Sequence, residues 1–219
     1  MNEEFTQQTE LVKIKDLLRQ QGEIQRAAQL LKAGQLVAFP TETVYGIGAL
    51  GLSTEAVERL YSAKNRPAGK AFSLQVANVA MVQQIAAYVP LMARRLLEKF
   101  APGPLTVVLP KASIVPALVT GGRDTVGIRI PDNPVALALL EAVNAPLAVP
   151  SANISGHVSP KTGTDVYSDM AGRLAMILDA GPCTIGSEST IVDCTGDRPV
   201  ILRHGAISDE DIFAAVQEA

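Results

Sequence analysis

Apolar residues fall into short groups with two different periods, and the two periods alternate along the chain. Ile24, Ala27, Ala28 and Leu31 repeat at helical spacing up to Gly34, and the unbroken run Leu36 to Phe39 then ends at Pro40. A helix followed by a short buried strand is predicted. The same reading predicts further helices over 56–63, 79–86, 90–100, 114–119, 133–142 and 164–170, with a last one from Ser208. Strands are predicted over 72–76, 105–109, 125–130, 147–149, 174–178, 189–192 and 200–202, where β-branched and apolar residues run between Gly and Pro punctuation. Interleaved helices and strands indicate a single α/β domain over 23–219, and the short, turn-linked strands indicate a mixed sheet.

Two stretches stand apart from this pattern. Residues 1–22 read as an N-terminal extension in which Leu11, Ile14, Leu17 and Leu18 have helical spacing. A short amphipathic helix on the domain surface, or one held for a partner, is expected there. The segment from Phe39 to Gly51 joins two buried elements and carries Thr41, Glu42, Thr43, Tyr45 and three glycines. It is expected to be a polar loop at a strand end, where α/β proteins place binding chemistry.

Composition narrows the classes. A chain of 219 residues that is 47% hydrophobic can bury a sizeable core, yet no apolar run is long enough to cross a membrane. Met1 to Glu10 is polar and acidic, unlike a secretory signal, so a cytoplasmic location is expected. A net charge of −3 argues against a surface that binds nucleic acid all over, while leaving room for a local basic cleft. Cys183 and Cys194 show no paired-cysteine motif, and His157 and His204 lack metal-ligand spacing, so idle thiols and no structural zinc are expected.

The candidate chemistry is cationic and hydroxyl-rich. Gly46-x-Gly48-x-x-Gly51 matches a dinucleotide fingerprint in spacing only. Six residues separate it from the preceding strand, and no acidic residue stands at a second strand end about 20 positions on. Gly69-Lys70 is followed by Ala71, so there is no Walker loop. Lys64-x-Arg66 ends a helix, where two cations suit either the helix dipole or a bound phosphate. Ser151-x-Asn153-x-Ser155 follows a strand end and can cap the next element or bind a ligand; with no histidine placed as a base, a serine hydrolase is disfavoured. Arg129 shares a strand face with Thr125 and Gly127, so it needs either a protein carboxylate or an anionic ligand; Arg203 poses the same choice. A cleft of concentrated positive charge for a phosphate-bearing ligand accounts for all of these together.

Seven blocks, in order, carry a resemblance. They are Pro40-Thr-Glu-Thr-Val-Tyr-Gly-Ile-Gly48, Lys64-x-Arg66-Pro67, Gly103-Pro-Leu-Thr106, Val126-Gly-Ile-Arg-Ile-Pro131, Pro150-Ser-Ala-Asn-x-Ser-Gly156, Glu188-Ser-Thr-Ile-Val-Asp193 and Leu202-Arg-x-Gly205. Over residues 23–217 the chain resembles the YrdC-type threonylcarbamoyl-AMP synthases. That resemblance implies an open twisted mixed sheet with flanking helices and a positively charged concave face. It implies a nucleotidyltransferase that turns L-threonine, bicarbonate or CO2, and ATP (as substrate, with Mg2+) into threonylcarbamoyl-AMP and pyrophosphate. A separate threonylcarbamoyl transferase complex would pass the group to tRNA.

The resemblance also implies roles. Lys64, Arg66, Ser151 and Asn153 form the family's catalytic tetrad; of these Lys64, Arg66 and Ser151 hold ATP, joined by Thr125, Ser159 and Arg203. Thr43, Arg129 and Ser189 face threonine, and no metal-ligating residue is implied. Lys70 and Gln75 stand where many relatives carry other residues, and the chain stops before the extra domain of longer relatives. Two rival readings accompany this one. A non-catalytic module could hold double-stranded RNA or tRNA on the same positive face. A hydrogenase-maturation module would be larger and would carry zinc-finger cysteines that this sequence lacks.

Overall fold

The computed structural model describes residues 8–217; the start of the expected N-terminal extension, residues 1–7, and the last two residues lie outside them. The elements run β1 (Glu10–Lys13), α1 (Gln21–Lys32), β2 (Val37–Phe39), β3 (Gly46–Leu50), α2 (Thr54–Ala63) and β4 (Ser73–Gln75). There follow α3 (Val79–Ile85), α4 (Leu91–Phe100), β5 (Leu105–Pro110), α5 (Ala117–Thr120), β6 (Thr125–Arg129) and α6 (Pro134–Val143). The chain then forms β7 (Leu147–Ala148), α7 (Gly163–Met170), β8 (Met176–Asp179), β9 (Thr190–Asp193), β10 (Val200–Arg203) and α8 (Asp209–Gln217).

Ten strands form one sheet in the order β1-β8-β2-β3-β7-β4-β6-β5-β9-β10. Four neighbouring pairs are parallel (β1·β8, β2·β8, β4·β6, β5·β9) and the other five antiparallel, so the sheet is mixed and open at both edges. The helices pack their apolar stripes against it. In α1 the buried residues are the expected Ile24, Ala27, Ala28 and Leu31. Asn133 caps α6 by accepting from the Val135 and Ala136 amides, with Pro134 in the first turn. At α8, Ser208 Oγ accepts from the Asp211 amide and donates to its carboxylate, while Ile207 and Ile212 are both buried.

Two expectations are corrected. Leu11 and Val12 lie in edge strand β1, which pairs in parallel with β8, and no surface helix forms there. Asp16 Oδ1 takes the Leu18 and Arg19 amides and Gln20 Oε1 takes those of Lys15 and Asp16, so the backbone is spent on a turn where a helix would need it. Residues 10–13 therefore belong to the sheet. The second correction concerns the glycine segment. Gly46 to Leu50 is strand β3, hydrogen-bonded between β2 and β7, and not a loop. Its glycines allow close packing: a Cβ on Gly46 would sit 2.4 Å from Val149 Cγ1 and one on Gly48 3.0 Å from Phe39 Cε1, and just past the strand a Cβ on Gly51 would sit 2.5 Å from Leu74 Cδ2. The spacing that matches a dinucleotide fingerprint is thus a packing constraint inside the sheet.

Candidate functional site

One cavity of about 270 Å³ opens where the 40–45 connection, the loop after α2 and the exit of β7 meet residues of β4, β5, β6, β9 and β10. Thr43, Arg66, Arg129, Ser151, Ser189 and Arg203 line it, which is six of the ten residues expected at the site. Lys64, Thr125, Asn153 and Ser159 do not line it.

The 40–45 connection is locked by its own hydroxyls. Thr41 Oγ1 donates to the Val44 carbonyl at 2.7 Å and lies 2.8 Å from Thr43 Oγ1. Its one proton being committed, Thr43 must be the donor in that pair, and Thr43 keeps lone pairs to accept from a ligand. The residue between them, Glu42, answers the question posed by Arg129. Arg129 Nη2 lies 2.8 Å from Glu42 Oε1, with both side chains under a tenth exposed. The pair is close but poorly aligned: neither that nitrogen nor either Glu42 oxygen makes a directed hydrogen bond. Arg129 Nε donates to the Gly103 carbonyl at 3.2 Å. Burial lowers the pKa of the guanidinium, and the Glu42 charge opposes that shift. Beside it, across the parallel β4–β6 pair, Gln75 presents a buried Oε1 with no hydrogen-bond partner. Gln75 and Arg129 line the cavity, and their one orphaned acceptor and one orphaned donor are what a ligand with both kinds of group would complete.

Lys64 and Arg66 part company. Lys64 is the C-cap of α2 and only 2% exposed. Its ammonium donates to the Ser151 carbonyl at 2.6 Å and to the Asn153 carbonyl, and its own carbonyl accepts the Ser155 amide. Burial, helped by the Arg66 charge, pulls its pKa from 10.5 down to about 7, while Asp169 and Glu188 oppose the shift. Lys64 therefore stands behind the wall and pins the 151–155 loop. Asn153 likewise turns inward, its Nδ2 donating to the Ile154 and His157 carbonyls. Ser151 is the member of that loop that reaches the cavity, at a bridge to Gly46. Arg66 does face the cavity. Its guanidinium is aimed by the Lys70 and Ala71 carbonyls at 3.1 and 2.8 Å and stacks over Phe72 at 4.7 Å.

Arg203, at the end of β10, donates through Nε to the Ser189 carbonyl and through Nη2 to Ser189 Oγ. Its Nη1 meets Glu188 Oε2 at 2.5 Å. Ser159 enters here indirectly, donating to Glu188 Oε1 at 3.0 Å. Thr125 sits four residues before Arg129, ~13 Å away along the strand, outside the lining. Sequence reasoning missed Thr106, whose Oγ1 lies 2.8 Å from Ser189 Oγ, and Glu188 as a cavity residue. Both lay inside the quoted blocks, but only the β5–β9 pairing brings Thr106 to Ser189. Among the described residues no cluster of three or more His, Cys, Asp or Glu side chains could hold a metal ion, and no helix is long and apolar enough to cross a membrane.

Comparison with known proteins agrees on one family. The Sua5_yciO_yrdC family model, described as telomere recombination, matches residues 29–205. A threonylcarbamoyl-AMP synthase of Pyrococcus abyssi is 45% identical over 195 residues, covering 89% of this chain and 57% of that protein. The crystal structure of P. abyssi Sua5 complexed with L-threonine superposes with a TM-score of 0.90 at 42% identity, over 96% of this chain and 61% of the other. E. coli YciO superposes with a TM-score of 0.82 at 27% identity, over 94% of this chain and 99% of the other. The chain spans little more than half the length of the curated synthases of P. abyssi, Bacillus subtilis and Schizosaccharomyces pombe.

Proposed function

The chain belongs to the Sua5/YciO/YrdC family, and from that premise we propose that it is an L-threonylcarbamoyl-AMP synthase acting in the cytoplasm. The observation that carries the proposal is the convergence of Thr43, Arg66, Arg129, Ser151, Ser189 and Arg203 on one cavity from six separate blocks of sequence. The relative solved with L-threonine supports threonine as the amino acid.

The chemistry asks for alignment and charge neutralisation more than for a covalent nucleophile. Threonine's amine adds to CO2 to give a carbamate and releases a proton. A carbamate oxygen then attacks the α-phosphorus of ATP, and the bond to pyrophosphate breaks. Arg129 at the cavity wall holds the threonine carboxylate, and Thr43 accepts from the amino acid. Arg66 and Arg203 face the polyphosphate, and Ser151 donates beside them. Lys64 and Asn153 act through the loop they pin. Mg2+ would arrive with ATP and supply charge neutralisation on the polyphosphate. The product goes to a separate transferase that modifies tRNA.

The test is incubation with ATP, Mg2+, bicarbonate and labelled threonine, followed by isolation of threonylcarbamoyl-AMP. Product and pyrophosphate that depend on both threonine and bicarbonate are expected. ATP turnover indifferent to both, or steeply salt-dependent RNA binding with no turnover, overturns the proposal.

A further inference from the structure

The cavity already contains an anion of its own. Glu188 lines it, and its two carboxylate oxygens are held by Arg203 Nη1 at 2.5 Å and Ser159 Oγ at 3.0 Å. A guanidinium N–H and a hydroxyl converging on two oxygens of one anion form a donor set suited to a phosphate. Arg203 does not depend on Glu188 for its position, because Nε and Nη2 are anchored on Ser189 at 3.0 and 2.9 Å. Removing the carboxylate would free Nη1 alone, with the rest of the guanidinium in place.

The second carboxylate–arginine pair of the cavity shows the contrast. Glu42 and Arg129 are 6% and 8% exposed, so neither can leave without stranding a buried charge. Glu188 and Arg203 are 41% and 39% exposed, and the Glu188 side chain can turn to water. Its backbone stays tied, since the Glu188 carbonyl accepts the Ala206 amide. A polyphosphate entering this cavity would meet the carboxylate as a like charge at close range, so the two cannot share the subsite.

We propose that Glu188 is an internal stand-in for a nucleotide phosphate: in the free protein its carboxylate fills the subsite made by Arg203 Nη1 and Ser159 Oγ, and it swings to solvent when ATP binds. The inference rests on the synthase reading, which supplies the nucleotide. Glu188 then sets nucleotide affinity by competition and takes no part in the chemical step. It also keeps both donors satisfied while the site is empty.

Calorimetric titration of α,β-methylene-ATP with Mg2+ into the wild type, Glu188→Gln and Glu188→Ala tests this, with threonine titrated separately. Both variants are expected to bind the nucleotide about two- to fivefold more tightly, as for release of an exposed ion pair, with threonine affinity unchanged. The alanine variant guards against a new hydrogen bond from the glutamine amide. Because Glu188 is half exposed, unliganded thermal melts should show both variants folded. Weaker or unchanged nucleotide binding by Glu188→Ala overturns the inference, whatever Glu188→Gln does. A wild type that binds no adenine nucleotide sinks the synthase reading as well, whereas a binding wild type with an unimproved alanine variant sinks this inference alone.

Discussion

Lys64 offers a sharp test of the site's geometry, because the same burial that removes it from the cavity makes its charge expensive. Its pKa is held at about 7 against the ordinary 10.5, by burial first and the Arg66 charge second. That difference corresponds to ~5 kcal/mol between the protonated and neutral forms. Below pH 7 both folded and unfolded chains carry the proton, and the folded chain bears the full cost of the buried charge. Between 7 and 10.5 the unfolded chain keeps a proton that the folded chain has released, so stability rises with pH across that window. The neutral amine can still donate to the Ser151 and Asn153 carbonyls. Lys64→Met lacks the titration, so subtracting its unfolding free energy from that of the wild type isolates the effect. Urea denaturation at pH 6, 7, 8, 9 and 10 should show the wild type gaining ~4 kcal/mol on the variant between pH 7 and 10. A difference that stays level across that range would mean an ammonium in contact with water or a counter-ion. Lys64 would then face the cavity, and its role as a pin for the 151–155 loop would fall.

Three further outcomes are expected. Arg66→Ala should lose at least ~2–3 kcal/mol of transition-state stabilisation, read as kcat/KM for pyrophosphate release; a near-normal rate removes Arg66 from the mechanism. Glu42→Ala strands Arg129 in a buried wall and should cost ~3–5 kcal/mol in denaturant unfolding, partly regained in Glu42→Leu/Arg129→Met; equal losses in both would show that the pair's charge is not the issue. Gly205→Ala puts a Cβ 2.4 Å from Ser189 C and Thr190 N, so backbone beside the site must shift, at ~1–3 kcal/mol of stability. An unchanged melting temperature there would refute the close contact.

What could be read from the sequence was local. The α6 cap needed only Asn133 and Pro134, and α1 only four apolar residues at one spacing. Where the answer depended on distant chain, the reading failed. Leu11, Ile14, Leu17 and Leu18 fit a helix until β8 offers Leu11 and Val12 a parallel partner and Asp16 and Gln20 claim the backbone behind them. Gly46 to Leu50 looks like a loop until β2 and β7 lie on either side of it. The site shows the same division. The residue types and their blocks were legible, and most of the arginines and hydroxyls reached the cavity. Which of two neighbours faces inward was not legible, because Lys64 is decided by carbonyls at Ser151 and Asn153, far along the chain. Arg129 was seen to need a carboxylate or a ligand; only the fold could choose Glu42.

On the synthase reading proposed above, the pairing of charges in the cavity would let an acidic protein tell a zwitterion from a polyanion. Arg129 is matched by a buried carboxylate, so the pair itself is close to neutral. A zwitterion suits it: a carboxylate for Arg129, and an ammonium for the acceptors Thr43 Oγ1 and Gln75 Oε1, which Glu42 backs with its charge. A polyanion would find no net attraction there. Among the described residues Arg66 is held by carbonyls and a ring, and Arg203 is matched by a half-exposed carboxylate. With Glu188 turned to solvent, as inferred above, these two arginines would present net positive charge to a polyphosphate. On that reading threonine and ATP would be sorted by charge before any shape is read. A cavity with all three arginines unmatched would attract phosphate throughout and block an amino-acid subsite beside Arg129.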